Sequence, residues 1–304
     1  DIPEAVSATL QARDMMSRQK GNPGARLLFL VVLVVIGGGC QRAAAPVTAS
    51  SESASSITGF FNNGNVRLSY RLDLPARSRP VGAVVFGHGS GKQTKDSCRF
   101  LADGFLSRGF ATLCFDKRGV EQSTGTFVFV GARDSIPVFD DLASDIAAGV
   151  AFLRGRPEID ARRIGLAGVS QAGWIVPLAA QKSRPAFMVL LVAPTVSVGV
   201  ESFYSRLVEN TGARVEDGYK QLASFNGFHG FDPKPVLEAI DVPGLWLLGG
   251  EDRSIPTPAT VAILDQLTAS GKPYTHVVFP GFGHNLGGAP LWPEIDRWMA
   301  KALR

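Results

Sequence analysis

The sequence predicts an α/β domain: a mostly parallel central sheet with helices on both faces. Three observations carry this. Short, continuous apolar runs rich in β-branched residues recur along the chain. Segments with apolar residues at helical spacing separate them. Glycines and other turn residues mark many of the junctions. Strands buried on both faces and joined by helices imply a mostly parallel sheet covered on each side. With 304 residues, 45% apolar and 19% charged, the chain is long enough for one large globular domain.

The elements follow in order from Ile57. Residues 57–61 and 65–73 alternate around the turn cluster Asn62-Asn63-Gly64-Asn65 and predict a β-hairpin. Residues 81–87 predict a strand, 96–108 a helix stopped at Gly109, and 110–115 a second strand. Residues 139–154 place Ala, Leu, Ile and Val at helical spacing. A strand over 163–169 leads into a helix over 171–182, and further strands are predicted at 187–193, 244–250 and 274–279. Helices over 259–270 and 292–303 complete the pattern.

Residues 195–243 interrupt the rhythm with a stretch far longer than an ordinary connection. Helices are expected at 202–210 and 216–225. Such an insertion is expected to lie over the C-terminal strand ends, where ligands bind in these sheets, as a small cap. A longer crossover without a role in recognition is the alternative. Phe203, Tyr204, Phe225, Phe228 and Phe231 within it suit either an apolar pocket or ordinary core.

The region before the domain reads as an address. Residues 27–36 are ten consecutive apolar residues, too few to span a bilayer as a helix, which takes about twenty. Arg18, Lys20 and Arg26 precede them, and Gly37, Gly38, Gly39 and Cys40 follow. This is the pattern of a secretory signal peptide within residues 1–40, with Met15 or Met16 a sensible start. The approach to Cys40 resembles the lipobox of bacterial lipoproteins, in which the cysteine is lipidated. Gly37 stands where that motif usually has leucine, and cleavage after Ala43-Ala44-Ala45 is the competing reading. Residues 41–56, small and polar without periodicity, read as a flexible linker. The expected location is therefore the cell envelope, lipid-anchored through Cys40 or exported without an anchor.

Lys plus Arg exceed Asp plus Glu by only 31 to 27, with no basic block. That argues against a nucleic-acid partner, which calls for a concentrated basic stripe. Cys40, Cys98 and Cys114 form no Cys-x-x-Cys pair, and no histidine stands at zinc-finger spacing from them, so no structural metal site is expected.

The chemistry concentrates at four strand ends. Gly168-Val169-Ser170-Gln171-Ala172-Gly173 falls between a predicted strand and a predicted helix. A sharp turn there exposes a serine hydroxyl to a base and lets the next backbone N–H face a developing oxyanion. The usual pattern is Gly-x-Ser-x-Gly; Ala172 takes the second glycine's place. A serine capping the following helix is the bland reading. Asp252 lies just past strand 244–250, with Glu251 as its rival, and His284 lies on a loop past the last strand. Of the four histidines, His88 belongs to another motif, His229 to the insertion and His276 to a strand, which leaves His284 as the candidate base. The chain order Ser, Asp, His fits a hydrolase built on such a sheet. Phe86-Gly87-His88-Gly89-Ser90-Gly91 supplies a glycine-rich loop whose N–H groups, Ser90 first and Gly89 second, join that of Gln171 as oxyanion donors. It lacks the Lys-Ser/Thr ending of a phosphate-binding loop.

Together with His88-Gly89 and Asp116-Lys117-Arg118-Gly119 with Ser123 and Gly125, these motifs resemble bacterial α/β-hydrolases of the dienelactone-hydrolase and prolyl-oligopeptidase-like group. The resemblance spans roughly residues 57–304 and is most pronounced over Ile164 to Trp174. It implies an α/β-hydrolase fold and a serine hydrolase acting on a small-molecule ester through an acyl-enzyme, without cofactor or metal. A peptidase of the prolyl-oligopeptidase-like group and a catalytically silent envelope binding protein are the alternatives. The resemblance also implies that the Asp116-to-Gly125 segment is structural and lies near the site, without a catalytic role. Cys98 and Cys114 are expected near the top of the sheet. A helix packed on a sheet lies about 10 Å away, whereas a bridge needs about 5.5 Å between Cα atoms, so two free buried thiols are expected. The sequence carries no signal for oligomeric state.

Overall fold

The computed structural model describes residues 54–77 and 80–303. The signal-peptide region, Cys40 and most of the linker lie outside the described residues.

The domain contains one eight-stranded sheet, ordered β1-β2-β4-β3-β5-β6-β7-β8. β1 (Ser55–Asn63) and β2 (Val66–Leu74) form the hairpin around Gly64, whose positive φ of 54° suits glycine. β2 pairs antiparallel with β4 (Ala111–Phe115). From β4 onward all pairs are parallel: β3 (Val81–Gly87), β5 (Ile159–Val169), β6 (Met188–Leu191), β7 (Gly244–Gly249) and β8 (Tyr274–Phe279). The chain runs from β3 to β4 on one side and to β5 on the other, so the strand order switches direction at β3. In such sheets the crevice beyond the C-terminal strand ends at the switch point is where ligands bind.

Alternate side chains of each strand enter separate cores. Ala83 and Val85 join one apolar cluster, which α2 (Ser135–Arg154), α3 (Ala172–Ser183) and α7 (Thr257–Ala269) help to build. Val84 and Phe86 join the other, with α1 (Arg99–Ser107) and α8 (Leu291–Ala302). The side-chain period of two along β3 thus serves both faces, which is why the strand reads as an unbroken apolar run.

The segment between β6 and β7 holds α4 (Val198–Ser205), a π-helical turn over Arg206–Asn210, α5 (Val215–Gln221), a 3-10 turn over Leu222–Ser224 and α6 (Lys234–Ala239). The two expected helices are present, each starting earlier than the sequence suggests, and α6 is additional.

Cys98 and Cys114 are joined in a disulfide, with Cα atoms 6.4 Å apart, which corrects the expectation of free thiols. The expected helix over 96–108 begins only at Arg99. Cys98 therefore sits in the turn before α1, closer to β4 than a helix layer allows.

Candidate active site

Strand register brings the motifs together. Gly87 pairs with Gly168 across β3 and β5, so Gly89 and Ser170, each two residues further on, leave the sheet side by side. Gly249 pairs with Phe279 across β7 and β8, so the loops carrying Asp252 and His284 leave its C-terminal edge together.

Ser170 has a φ of +56°, in the left-handed region that costs a non-glycine residue roughly 1–2 kcal/mol. Its N–H donates to the Leu191 carbonyl at 2.9 Å, and the Gly173 N–H donates back to the Ser170 carbonyl at 2.8 Å. Small neighbours are obligatory here. A Cβ on Gly168 would lie 2.3 Å from the Ala172 Cβ, and one on Gly173 would lie 2.6 Å from the Pro194 carbonyl oxygen. The alanine at 172 is tolerated because Gly168 leaves room for its methyl group.

Ser170 Oγ lies 3.0 Å from His284 Nε2. His284 Nδ1 lies 2.9 and 3.1 Å from the two Asp252 carboxylate oxygens. Asp252 is fully buried, and its Oδ1 also accepts the N–H groups of Ser254 and Ile255 at 2.8 Å each. A carboxylate so placed calls for a proton on Nδ1 and leaves Nε2 to accept the serine proton. Burial acts to lower the His284 pKa. The hydrogen bond and charge of Asp252, with the Glu209 and Glu201 charges behind them, outweigh it and raise the pKa above the ordinary value. Glu251, the rival acid, is exposed and spends its backbone N–H on the Phe282 carbonyl.

The acid loop is fastened to the segment between β6 and β7. The buried Tyr204 hydroxyl donates to the Asp252 carbonyl at 2.7 Å, Arg253 donates to the Val208 carbonyl, and Ser254 bonds Glu209. Glu201, on α4, has its pKa raised to about 7, mainly by burial.

Among the described residues the backbone N–H groups of Gln171, Ser90 and Gly89 have no hydrogen-bond partner. A cavity of about 240 Å³ opens beside Ser170, with Gly87 to Ser90 along one wall. Phe86, Leu101, Phe115, Val169 and the Cys98–Cys114 bridge give it an apolar interior. None of the five aromatic residues singled out between β6 and β7 lines it. Tyr204 and Phe231 are core, and Phe228 is exposed. No group of three or more His, Cys, Asp or Glu among the described residues could hold a metal ion.

The Asp116-to-Gly125 segment packs directly behind this site. Asp116 is fully buried and accepts both the backbone N–H of Lys95, at 2.8 Å, and its ammonium, at 2.9 Å. Arg118 forms a two-point pair with Asp145 of α2 at 2.7 and 2.8 Å. The Ser123 hydroxyl donates to the Asp116 carbonyl at 2.7 Å. His88 Nε2 donates to the Phe115 carbonyl at 2.6 Å; burial first, then the Lys117 charge, pull its pKa down to about 4, so the ring is neutral at pH 7. Lys117 turns inward and bonds the glycine-rich loop and Gln171, a placement that no spacing rule reveals.

A mostly parallel eight-stranded sheet with a serine on a strained strand-to-helix turn, followed in the chain by an acid and a histidine at neighbouring strand ends, defines the α/β-hydrolase fold. An esterase of Pyrococcus furiosus superposes with a TM-score of 0.62 at 16% identity, covering 82% of this chain and 93% of that one. An acylaminoacyl peptidase of Pyrococcus horikoshii superposes with a TM-score of 0.58 at 16% identity, over 84% of this chain and 42% of that one.

The chain belongs to the S15 peptidase family, whose model, described as X-Pro dipeptidyl-peptidase, matches residues 63–228. A Methylorubrum extorquens protein, provisionally named a carboxymethylenebutenolidase, is 28% identical over 222 residues, which is 71% of this chain and 66% of that protein. The chain spans just under two thirds of the length of the curated relatives it matches.

Proposed function

We propose that the protein is a serine hydrolase that cleaves carboxylic esters through a Ser170–His284–Asp252 triad. The observation that carries the reading is the unbroken hydrogen-bond relay from Ser170 Oγ through His284 to the buried Asp252. In this mechanism Ser170 Oγ attacks the ester carbonyl carbon while His284 Nε2 takes its proton. The carbonyl oxygen becomes an oxyanion held by the N–H groups of Gln171 and Ser90, with Gly89 as the second candidate in the loop. Collapse breaks the bond to the alcohol, which leaves with the proton from His284. Water, deprotonated by the same imidazole, then releases the acid and restores Ser170. Asp252 holds the imidazole tautomer and steadies its positive charge.

The cavity beside Ser170 supports an apolar acyl group of moderate size. A dry cavity of ~150 Å³ takes a benzene ring, and this one is larger, at about 240 Å³. The Cys98–Cys114 bridge supports an exported location, since such links persist in oxidising compartments. That location is the one expected from the apolar run before Cys40, with lipidated Cys40 as a membrane tether. Mass spectrometry of the mature N-terminus decides between a lipidated Cys40 and cleavage after Ala45.

The test is hydrolysis of nitrophenyl esters from acetate to long-chain acyl, with Ser170→Ala as control. Serine-dependent turnover, lost by about a million-fold in the variant, is expected. Near-full activity in Ser170→Ala overturns the triad. A peptidase reading has the family model's description in its favour. Faster serine-dependent cleavage of an X-Pro nitroanilide than of any ester would replace the first reading with it.

A further inference from the structure

Lys117 lies at the end of β4 and is almost completely buried, with 2% of its surface exposed. Lysine is rarely buried to this degree without a carboxylate partner. Among the described residues no carboxylate lies within ion-pair distance of it. Its neighbour Asp116 is engaged by Lys95 instead. The Lys117 ammonium meets three neutral acceptors: the Gly89 carbonyl at 3.0 Å, the Gly91 carbonyl at 3.4 Å and the Gln171 side-chain oxygen at 2.9 Å. The first two flank Ser90 in the glycine-rich loop. The third belongs to the residue directly after Ser170. One cation thus ties together the two segments whose N–H groups serve the oxyanion in the mechanism above.

We propose that Lys117 is a positioning residue that locks the two arms of the oxyanion hole in register and supplies the positive charge that the oxyanion answers. The inference rests on the serine-hydrolase reading of the site. A buried cation without a counter-ion is poorly compensated in the resting protein. When the carbonyl carbon turns tetrahedral, a negative charge forms beside the loops Lys117 holds, and the missing partner appears. An interaction that strengthens only in the transition state raises turnover rather than ground-state binding.

The ionisable groups around Lys117 leave this charge unmatched. His88, on the loop after β3, is neutral at pH 7. Lys95 is held by Asp116, Arg118 turns to Asp145 and Asp141, and Lys92 shares the Phe127 ring with Lys117. Burial brings the Lys117 pKa down to about 8. The ammonium is therefore charged at neutral pH and discharges at mildly alkaline pH.

The experiment compares wild type, Lys117→Met and Lys117→Arg on nitrophenyl butyrate from pH 6 to 10, together with inhibition by a trifluoromethyl ketone, which Ser170 converts to a tetrahedral anion. Lys117→Met is expected to lower kcat by about ten- to a hundredfold, with KM changed less than about threefold. Ketone affinity should fall in parallel with kcat. Wild-type kcat should decline above about pH 8, a limb absent from Lys117→Met, while Lys117→Arg should recover part of kcat and keep activity to higher pH. A folded Lys117→Met with wild-type kcat, or with the alkaline limb intact, overturns the proposal. Should Lys117→Met not fold, the wild-type profile decides, and unchanged kcat and ketone affinity between pH 7 and 9.5 refute it. Ser170→Ala run alongside separates the two ideas. Absent serine-dependent turnover defeats the hydrolase reading, whereas intact turnover indifferent to Lys117 defeats only this inference.

Discussion

Replacing Gly168 by alanine adds a single methyl group at the tightest point of the turn that presents Ser170. Its Cβ would lie 2.3 Å from the Ala172 Cβ, 3.1 Å from the Gly87 carbonyl oxygen and 3.4 Å from Val176 Cγ2. None of these is the free end of a flexible side chain. The Ala172 methyl is fixed to the first turn of α3, and the Gly87 carbonyl belongs to the parallel ladder with β5. The new methyl can be accommodated only if the start of α3 moves away from β5, and Ser170 lies between them. Overpacking of this kind costs about 1–3 kcal/mol. For a domain of this size that corresponds to a fall of roughly 2–12 °C in Tm. The larger effect is on turnover, since displacing a reacting group by about 1 Å costs on the order of a hundredfold. Gly168→Ala should therefore lower kcat more than Tm alone suggests. Adding Ala172→Gly removes the 2.3 Å contact and should restore most of both, with a coupling energy within the 0.5–3 kcal/mol range seen for touching residues. Scanning calorimetry and ester hydrolysis on the four members of the cycle check this. Wild-type Tm and kcat in Gly168→Ala, or no recovery in the double variant, would refute the packing argument.

Asp252→Asn should lower kcat by roughly ten-thousandfold by favouring the wrong imidazole tautomer. Because Asp252 raises the His284 pKa and catalysis needs neutral imidazole, the wild-type acid limb should lie above the ordinary histidine value and move to lower pH in the variant; a pH–rate profile shows it. Removing the Cys98–Cys114 bridge by a paired alanine substitution opens a loop of sequence separation 16, worth about 3 kcal/mol, and should lower Tm by roughly 6–12 °C. Equal melting of the bridged and bridgeless proteins would contradict it.

Much of this was legible in the sequence, and what was missed has identifiable causes. The turn at Ser170 announces itself because its geometry admits so few side chains. The hairpin at Gly64 and the interior strands are equally plain, since burial on both faces demands apolar runs. β5 starts four residues earlier than expected because Ile159 pairs with Val81 across a register shift, and the polar stretch Asp160 to Arg163 after it breaks the apolar run that marks a buried strand. The disulfide turns on a helix boundary. Three residues of turn in place of helix bring Cys98 to the sheet edge. That Lys117 turns inward to hold the glycine-rich loop and Gln171 has no signal in the sequence, because two of its partners are backbone carbonyls and the third an amide. None of these leaves a spacing rule in the chain. The cavity is built largely by the loop between β3 and α1, whereas the aromatic residues of the segment between β6 and β7, which suit pocket or core equally, line none of it.

The bond from Tyr204 to the Asp252 carbonyl bears on how molecules reach Ser170. Tyr204 is fully buried, so swinging α4 outward would strip its ring of its packing and break the hydrogen bond, whose net worth alone is about 0.5–1.5 kcal/mol. The same movement would drag on the strand end that aligns His284. This side of the cleft is a fixture and not a door.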